Sequence, residues 1–177
     1  MSCFFENDKE KGTLTATMIF RREELLYDIK NNAYIEGDAL PDDASDHIRH
    51  LIQDIGEEGN IDRVSRVLDR CHAQAKEALY PFTKHAVHSE EVNNRLREPA
   101  VYGIVLSLPS DFSQTTLRFL EKTIHEYMVS RVMEDWLSIV NTPRMEIWRL
   151  KAETLWEELK GSLIKRTHIL RRKQSLF

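Results

Sequence analysis

The sequence predicts a mainly α protein with some β structure (α+β). We expect a helical bundle with a long C-terminal helical hairpin and a small two- or three-stranded β element. Long stretches repeat apolar residues every three or four positions, which is the period of a helix with one buried face. Two shorter segments alternate apolar and polar residues, as strands do. The chain of 177 residues, 41% hydrophobic and 31% charged, has the size and composition of one folded domain.

The N-terminal part predicts a strand followed by a helix. Residues 13–20 alternate cleanly and carry threonines on the polar face, which favours a strand. Its predicted core face consists of Leu14, Ala16, Met18 and Phe20. The period then becomes helical, with Glu23 and Glu24 in the first turn and an end at residues 36–38. The predicted core face of this helix includes Leu25, Leu26, Ile29 and Ala33.

The middle of the chain predicts two helices and a second strand. A short helix ends near Gly56, with Asp43 or Ser45 as its cap. A longer helix starts with Asn60 as its cap and stops before Pro81. Residues 84–98 are polar and fit either a long loop or a weak hairpin. Residues 100–108 then predict a largely buried strand that ends at Pro109.

The last two predicted helices form an antiparallel hairpin because the connection between them is very short. Asp111 or Ser113 caps the first helix, and Thr142 caps the second. The second half of the first helix carries two apolar stripes, so it is enclosed on most sides. That enclosure is provided either by the chain itself or by another copy. Candidate residues for an oligomer contact are Val129, Met133, Leu137 and Trp156.

Charge divides the chain into an acidic body and a basic end. The net charge is −4, but residues 160–177 carry six basic residues and no acidic one, leaving −10 on the remainder. We therefore predict a single domain over residues 1–164 and a basic arm over residues 165–177 that binds a partner. The alternative is a solvated chain end, with its first bases stabilising the helix C-terminus. Predicted partner-binding residues of the arm are Lys165, Arg166, Arg171, Arg172, Lys173 and Phe177.

Residue patterns that indicate catalysis or metal binding are weak in this sequence. The common nucleophile, phosphate-loop, zinc-protease and calcium-loop motifs do not occur. His125 and Glu126 are adjacent on a helix and so diverge, which leaves them an acid/base pair only with partners from elsewhere. His47 and His50 lack a third ligand and are interpreted as surface histidines. We expect no catalytic residue, no metal, no cofactor and no small-molecule substrate.

Cysteine usage and hydropathy indicate a cytoplasmic protein. Cys3 and Cys71 are the only cysteines, so they form neither a disulfide framework nor a paired metal or redox motif. The N-terminus lacks a signal-peptide pattern, and no apolar run approaches the length that spans a bilayer. We expect a cytoplasmic protein that does not bind membranes and that is assembled in the cytosol even if it is carried elsewhere.

The sequence also resembles a family of small uncharacterised proteins encoded in prophage-like regions of gut anaerobes. The resemblance covers nearly the whole chain and is most specific over residues 102–148. Its upstream segments are residues 36–38, 54–55, 59–64 and 79–81. The residues that carry the main part include Tyr102, Leu106, Pro109, Phe112, His125, Glu126, Tyr127, Arg131, Asp135, Trp136, Asn141 and Trp148. The resemblance implies a virion structural role at the head–tail junction and supplies no catalytic residues.

The residue patterns and the family resemblance together predict a non-enzymatic head–tail connector or neck-type protein. Its partners would be further copies of the chain and other virion proteins, with the basic arm lying on the acidic face of the next copy. Two other functions remain open. One is a nucleic-acid-binding accessory protein that contacts phosphates through the arm. The other is an interaction or regulatory protein of a mobile element.

Overall fold

The computed structural model describes residues 2–8, 12–41, 46–83, 99–110 and 112–164. The strands are β1 (Ser2–Asp8), β2 (Thr13–Arg21) and β3 (Val101–Pro109). The helices are α1 (Arg22–Asp38), α2 (Asp46–Gln53), α3 (Glu58–Ala78), α4 (Tyr80–Thr83), α5 (Gln114–Val140) and α6 (Thr142–Ile164), with a 3-10 turn at Asp54–Gly56. The fold is therefore mainly α with a small antiparallel sheet, as the sequence predicts.

The sheet has the order β1-β2-β3 with both pairings antiparallel. Alternation places one face of β2 against the helices and leaves the other face toward solvent. Phe4, Thr17 and Val105 lie side by side on the outer face, where Phe4 and Val105 are exposed. The prediction of a largely buried β3 is therefore wrong for half of its residues. The sheet face that packs on the helices includes Leu14, Ala16, Met18, Phe20, Tyr102, Ile104, Leu106 and Leu108.

Helices α1 to α3 form as their apolar spacing predicts, but one cap differs. Asn60 lies inside the first turn of α3, which begins two residues earlier. Its amide nitrogen donates to the Asp54 carbonyl at 2.8 Å, so Asn60 ties α3 to the preceding 3-10 turn instead of capping the helix. The predicted caps of α2, Asp43 and Ser45, lie outside the described residues, as do residues 84–98.

The predicted hairpin of α5 and α6 is confirmed. Ser113 caps α5 by accepting a hydrogen bond from the Thr116 amide at 3.4 Å. The cap of α6 is Asn141 rather than Thr142, because the Asn141 side chain accepts from the Arg144 amide at 3.4 Å and Thr142 is already helical. Asn141 thus ends one helix and begins the next, which explains the shortness of the connection.

Two tryptophans attach the hairpin to the rest of the fold. The indole nitrogen of Trp136 donates to the Ile52 carbonyl at 3.1 Å. That of Trp148 donates to the carboxylate of Glu36 at 3.0 Å. Both rings are buried, so each combines packing with a satisfied polar group. The hairpin is thereby held against α1 and α2.

The second apolar stripe of α5 is part of the core. Val129, Met133 and Leu137 are all buried within the chain, and they belong to the same cluster of packed residues as the sheet. The fold itself therefore supplies the enclosure that the two stripes require, and these three side chains are not on the surface of the single chain, where the predicted oligomer contact would need them. Trp156, the fourth predicted residue, is half-buried, with its ring 5.1 Å from that of Tyr127.

Candidate functional site

The outer face of α6 carries apolar side chains that the fold does not cover. Ile147 and Leu150 are 56% and 54% exposed, although the opposite face of the same helix packs on α5. They are three residues apart, so they lie on one side of the helix. Thr154 continues this strip by a further turn and is also exposed. We call Ile147, Leu150 and Thr154 the α6 strip.

An acidic groove of about 530 Å³ adjoins the α6 strip. The described residues of its lining are Leu150, Glu153, Thr154, Glu157 and Glu158, and they include three carboxylates and no basic residue. Glu157 pairs with Lys160 at 2.8 Å and Glu153 lies 4.0 Å from Arg149. Glu158 forms no ion pair with the part of the chain that the structure describes. The groove therefore suits a ligand that is both basic and apolar.

The predicted residues of the basic arm, Lys165, Arg166, Arg171, Arg172, Lys173 and Phe177, lie outside the described residues. Helix α6 ends at Ile164, immediately before the arm begins. The α6 strip and its groove were not predicted as a site. The sequence did contain a pattern that indicates the strip. At helical spacing, Ile147, Leu150 and Thr154 share one face of the helix. Its inner face is a different one, formed by Trp148, Ala152 and Leu159.

His125 and Asp28 form a second polar arrangement, between α5 and α1. Nε2 of His125 lies 2.7 Å from Oδ2 of Asp28. His125 thus finds its carboxylate partner on another helix, and its neighbour Glu126 instead lies 3.9 Å from Lys151. A cleft of about 440 Å³ opens here and is also lined by Glu23, Glu24 and Tyr27.

The histidine is oriented to join two helices rather than to act on a ligand in this cleft. His125 is buried, while the side chain of Asp28 is 45% exposed. The second ring nitrogen of His125, Nδ1, is buried without a hydrogen-bond partner in the structure. A general base needs a free nitrogen within reach of a substrate, whereas Nε2 of His125 contacts Asp28 and Nδ1 is buried.

Glu121 lies one turn before His125 on α5 and is also buried. One of its carboxyl oxygens has no hydrogen-bond partner. Burial raises the pKa of Glu121 above its ordinary value of 4.5, against the opposing effect of nearby positive groups that include Arg118 and His125. A carboxyl group in this position favours its neutral form.

A third polar arrangement lies on α3, beside α5. Arg63, Arg66 and Arg70 follow one another at helical spacing and line a cleft of about 550 Å³ with Gly59, Asp62, Val67 and Asp135. Nε of Arg63 donates to Oδ2 of Asp135 at 2.7 Å. These arginines are not among the site residues predicted from the sequence, where acidic residues outnumber basic ones outside residues 160–177. Their spacing of three and four residues was the signal that would have identified them.

The described cysteines and histidines were also compared with what a reactive thiol or a metal site requires. Burial raises the pKa of Cys71 to about 12 and that of Cys3 to about 11, so both thiols stay protonated and poorly nucleophilic near neutral pH. His47 and His50 are exposed on α2. Within the described ranges, no three His, Cys, Asp or Glu side chains come together as ligands for a metal.

Comparison with protein-family models, curated proteins and solved structures found no significant match for this chain. The helices of the described part include none with both the length and the apolar character needed to cross a bilayer.

Proposed function

We propose that this protein is a non-enzymatic structural component of a phage or prophage particle, of the head–tail connector or neck type. In this proposal, its copies join through protein–protein contacts, with the basic arm of one copy on the acidic groove of the next. The observation that carries the proposal is the α6 strip, where two large apolar side chains stand uncovered beside three carboxylates. Exposed apolar patches with a charged rim are typical of interaction surfaces.

Residues 165–177 match this groove in chemistry. They contain five basic residues and no acidic one, together with apolar residues at Ile169, Leu170, Leu176 and Phe177. Basic side chains would pair with Glu153, Glu157 and Glu158, while an apolar side chain would cover Leu150. Charge complementarity of this kind sets orientation and association rate more than affinity, so the contact weakens as salt rises.

A neighbouring copy is the better source of the arm than the same chain. The groove lies roughly 10 to 20 Å back along α6 from its end, at about 1.5 Å per residue. An arm of the same chain would have to reverse direction there. Residues 165–177 contain no Gly, Pro, Asn or Asp, which are among the residues that most often form such a reversal, and only one Ser. A contact from arm to groove between copies is head-to-tail and generates a ring or a filament.

Light scattering coupled to size-exclusion chromatography tests this arrangement on the full chain. We expect oligomers in low salt, and we expect Leu150→Lys to dissociate them because it places a cation in the groove. Phe4→Lys is the matched control, since Phe4 is equally exposed, at 59%, but lies on the sheet. A chain that is monomeric at every concentration, or oligomers that resist Leu150→Lys, would contradict the arm-to-groove contact.

The particle role has a separate test. After induction of a prophage that encodes this chain, the protein is expected to sediment with assembled particles, and particles made without it should lack joined tails. Recovery of the chain only with host proteins would instead favour an interaction or regulatory role. A gel shift with duplex DNA that disappears when the basic residues of the arm are replaced would favour the nucleic-acid-binding role.

A further inference from the structure

The cleft between α3 and α5 contains positive charge that the fold does not use. Arg63 is held by Asp135, with their side chains 49% and 27% exposed. Arg66 and Arg70 are exposed and form no ion pair with any of the residues that the structure describes. Among the described lining residues the remaining acidic one is Asp62, so these residues together carry a net positive charge within an acidic body.

The positions of the three arginines suit one compact ligand. Residues 63, 66 and 70 lie on the same side of α3, within about 10 Å along the helix axis. Val67 lies between them in sequence, is nearly buried and contributes apolar surface to the cleft. The ion pair with Asp135 fixes the orientation of Arg63 at one side. Gly59, in the first turn of α3, also lines the cleft.

We propose that this cleft binds a compact phosphate dianion, as inorganic phosphate or as the phosphate group of a monoester. Guanidinium groups form paired hydrogen bonds with phosphate and carboxylate oxygens. A carboxylate has one charge and two oxygens, which one guanidinium satisfies. A phosphate has more acceptor oxygens and about two charges, so it engages Arg66 and Arg70 together.

A polynucleotide fits the surroundings less well than a compact anion. Its affinity comes from many phosphates spread along a basic surface. Apart from residues 160–177, this chain carries a net charge of −10, so phosphates outside the cleft would face repulsion. A compact dianion occupies only the positive cleft and avoids most of that repulsion.

Isothermal titration calorimetry on the full chain, at low ionic strength in a phosphate-free buffer, tests the proposal. The probes are inorganic phosphate, glycerol phosphate, acetate and a short DNA duplex. We expect one or both phosphate compounds to bind, and Arg66→Gln with Arg70→Gln to weaken that binding about tenfold or more. Arg66→Lys with Arg70→Lys should give an intermediate loss, because it keeps the charge but removes the paired hydrogen bonds.

Arg21→Gln with Lys122→Gln is the matched control, because it removes the same charge from exposed positions outside the cleft. Binding of only one phosphate compound supports the proposal and identifies the source of the group. Equal losses in the cleft variant and the control, equal binding of acetate and phosphate, or no binding of either phosphate compound would overturn it. Binding of the duplex without binding of phosphate would also overturn it, in favour of a polynucleotide.

Discussion

Glu121 carries a carboxyl group into the interior of the protein, where one of its oxygens lacks a hydrogen-bond partner. Burial raises its pKa, so the folded protein binds this proton more tightly than the unfolded chain does. Stability therefore falls as the pH rises from the ordinary value of 4.5 through the raised pKa of the folded state. The carboxylate form is the one that the fold disfavours.

We expect Glu121→Gln to stabilise the protein near neutral pH, on the order of 1 kcal/mol, because it removes a buried charge. The gain should shrink as the pH approaches 4.5, where the folded protein already holds Glu121 neutral. Urea unfolding between about pH 4.5 and 8 measures the difference. Glu126→Gln on the same helix is the control, since that side chain is 57% exposed. An equal pH trend in both variants would disprove this origin.

Some side-chain hydrogen bonds could not be predicted from the residue types alone. Asp28 and His125 are 97 positions apart, and their pairing depends on how α1 packs on α5. Asn60 fits the composition of a cap, but its side chain donates to the Asp54 carbonyl because the preceding residues form a 3-10 turn. The first case depends on a residue distant in sequence, and the second on the backbone conformation of a neighbouring turn; the residue type alone decides neither.

At the scale of elements, periodicity predicted the strands and helices that bury one clear face. Periodicity correctly predicted β2 and α3, because the apolar residues of each keep one spacing throughout the element. Periodicity did not predict β1, a short strand whose described side chains include just two, Cys3 and Phe5, that pack against the core. It also left open what covers α5, since an apolar stripe does not distinguish a partner helix of the same chain from another copy.

Met133→Ala tests whether the second apolar stripe of α5 is buried by the same chain or by another copy. Met133 is fully buried within the chain, so we expect the variant to lose about 2–5 kcal/mol of unfolding free energy. This loss should be the same at low and high protein concentration. Ile139→Ala on the same helix should cost less than about 0.5 kcal/mol, because Ile139 is 58% exposed. A loss for Met133→Ala that depends on concentration would instead indicate an oligomer contact.

At the scale of the molecule, the sequence predicted the fold class and the helical hairpin. For the candidate site, it provided only the uneven distribution of charge along the chain. The division into an acidic body and a basic arm came from counting, which needs no fold. The acidic surface with exposed apolar residues came from the structure, because it depends on which face of α6 is turned toward α5. Charge therefore led to the prediction of a partner surface, and packing shows where exposed apolar side chains lie beside carboxylates.

A head-to-tail contact makes a strict prediction for mixtures of two defective chains. A full-length chain with the five basic residues of the arm replaced by Gln keeps its groove but loses its arm. A Leu150→Lys chain keeps its arm but loses its groove. Each should be monomeric alone, whereas an equimolar mixture should form a one-to-one heterodimer, because a single intact arm can meet a single intact groove. The replaced residues are Lys165, Arg166, Arg171, Arg172 and Lys173.

Light scattering measures the masses of each chain alone and of the mixture. The heterodimer should dissociate as salt rises toward about 1 M, where the screening length falls to about 3 Å. A mixture that stays monomeric would show that the arm of one copy does not bind the groove of another. Oligomers formed by either variant alone would show that the copies meet through a surface other than the arm and the groove.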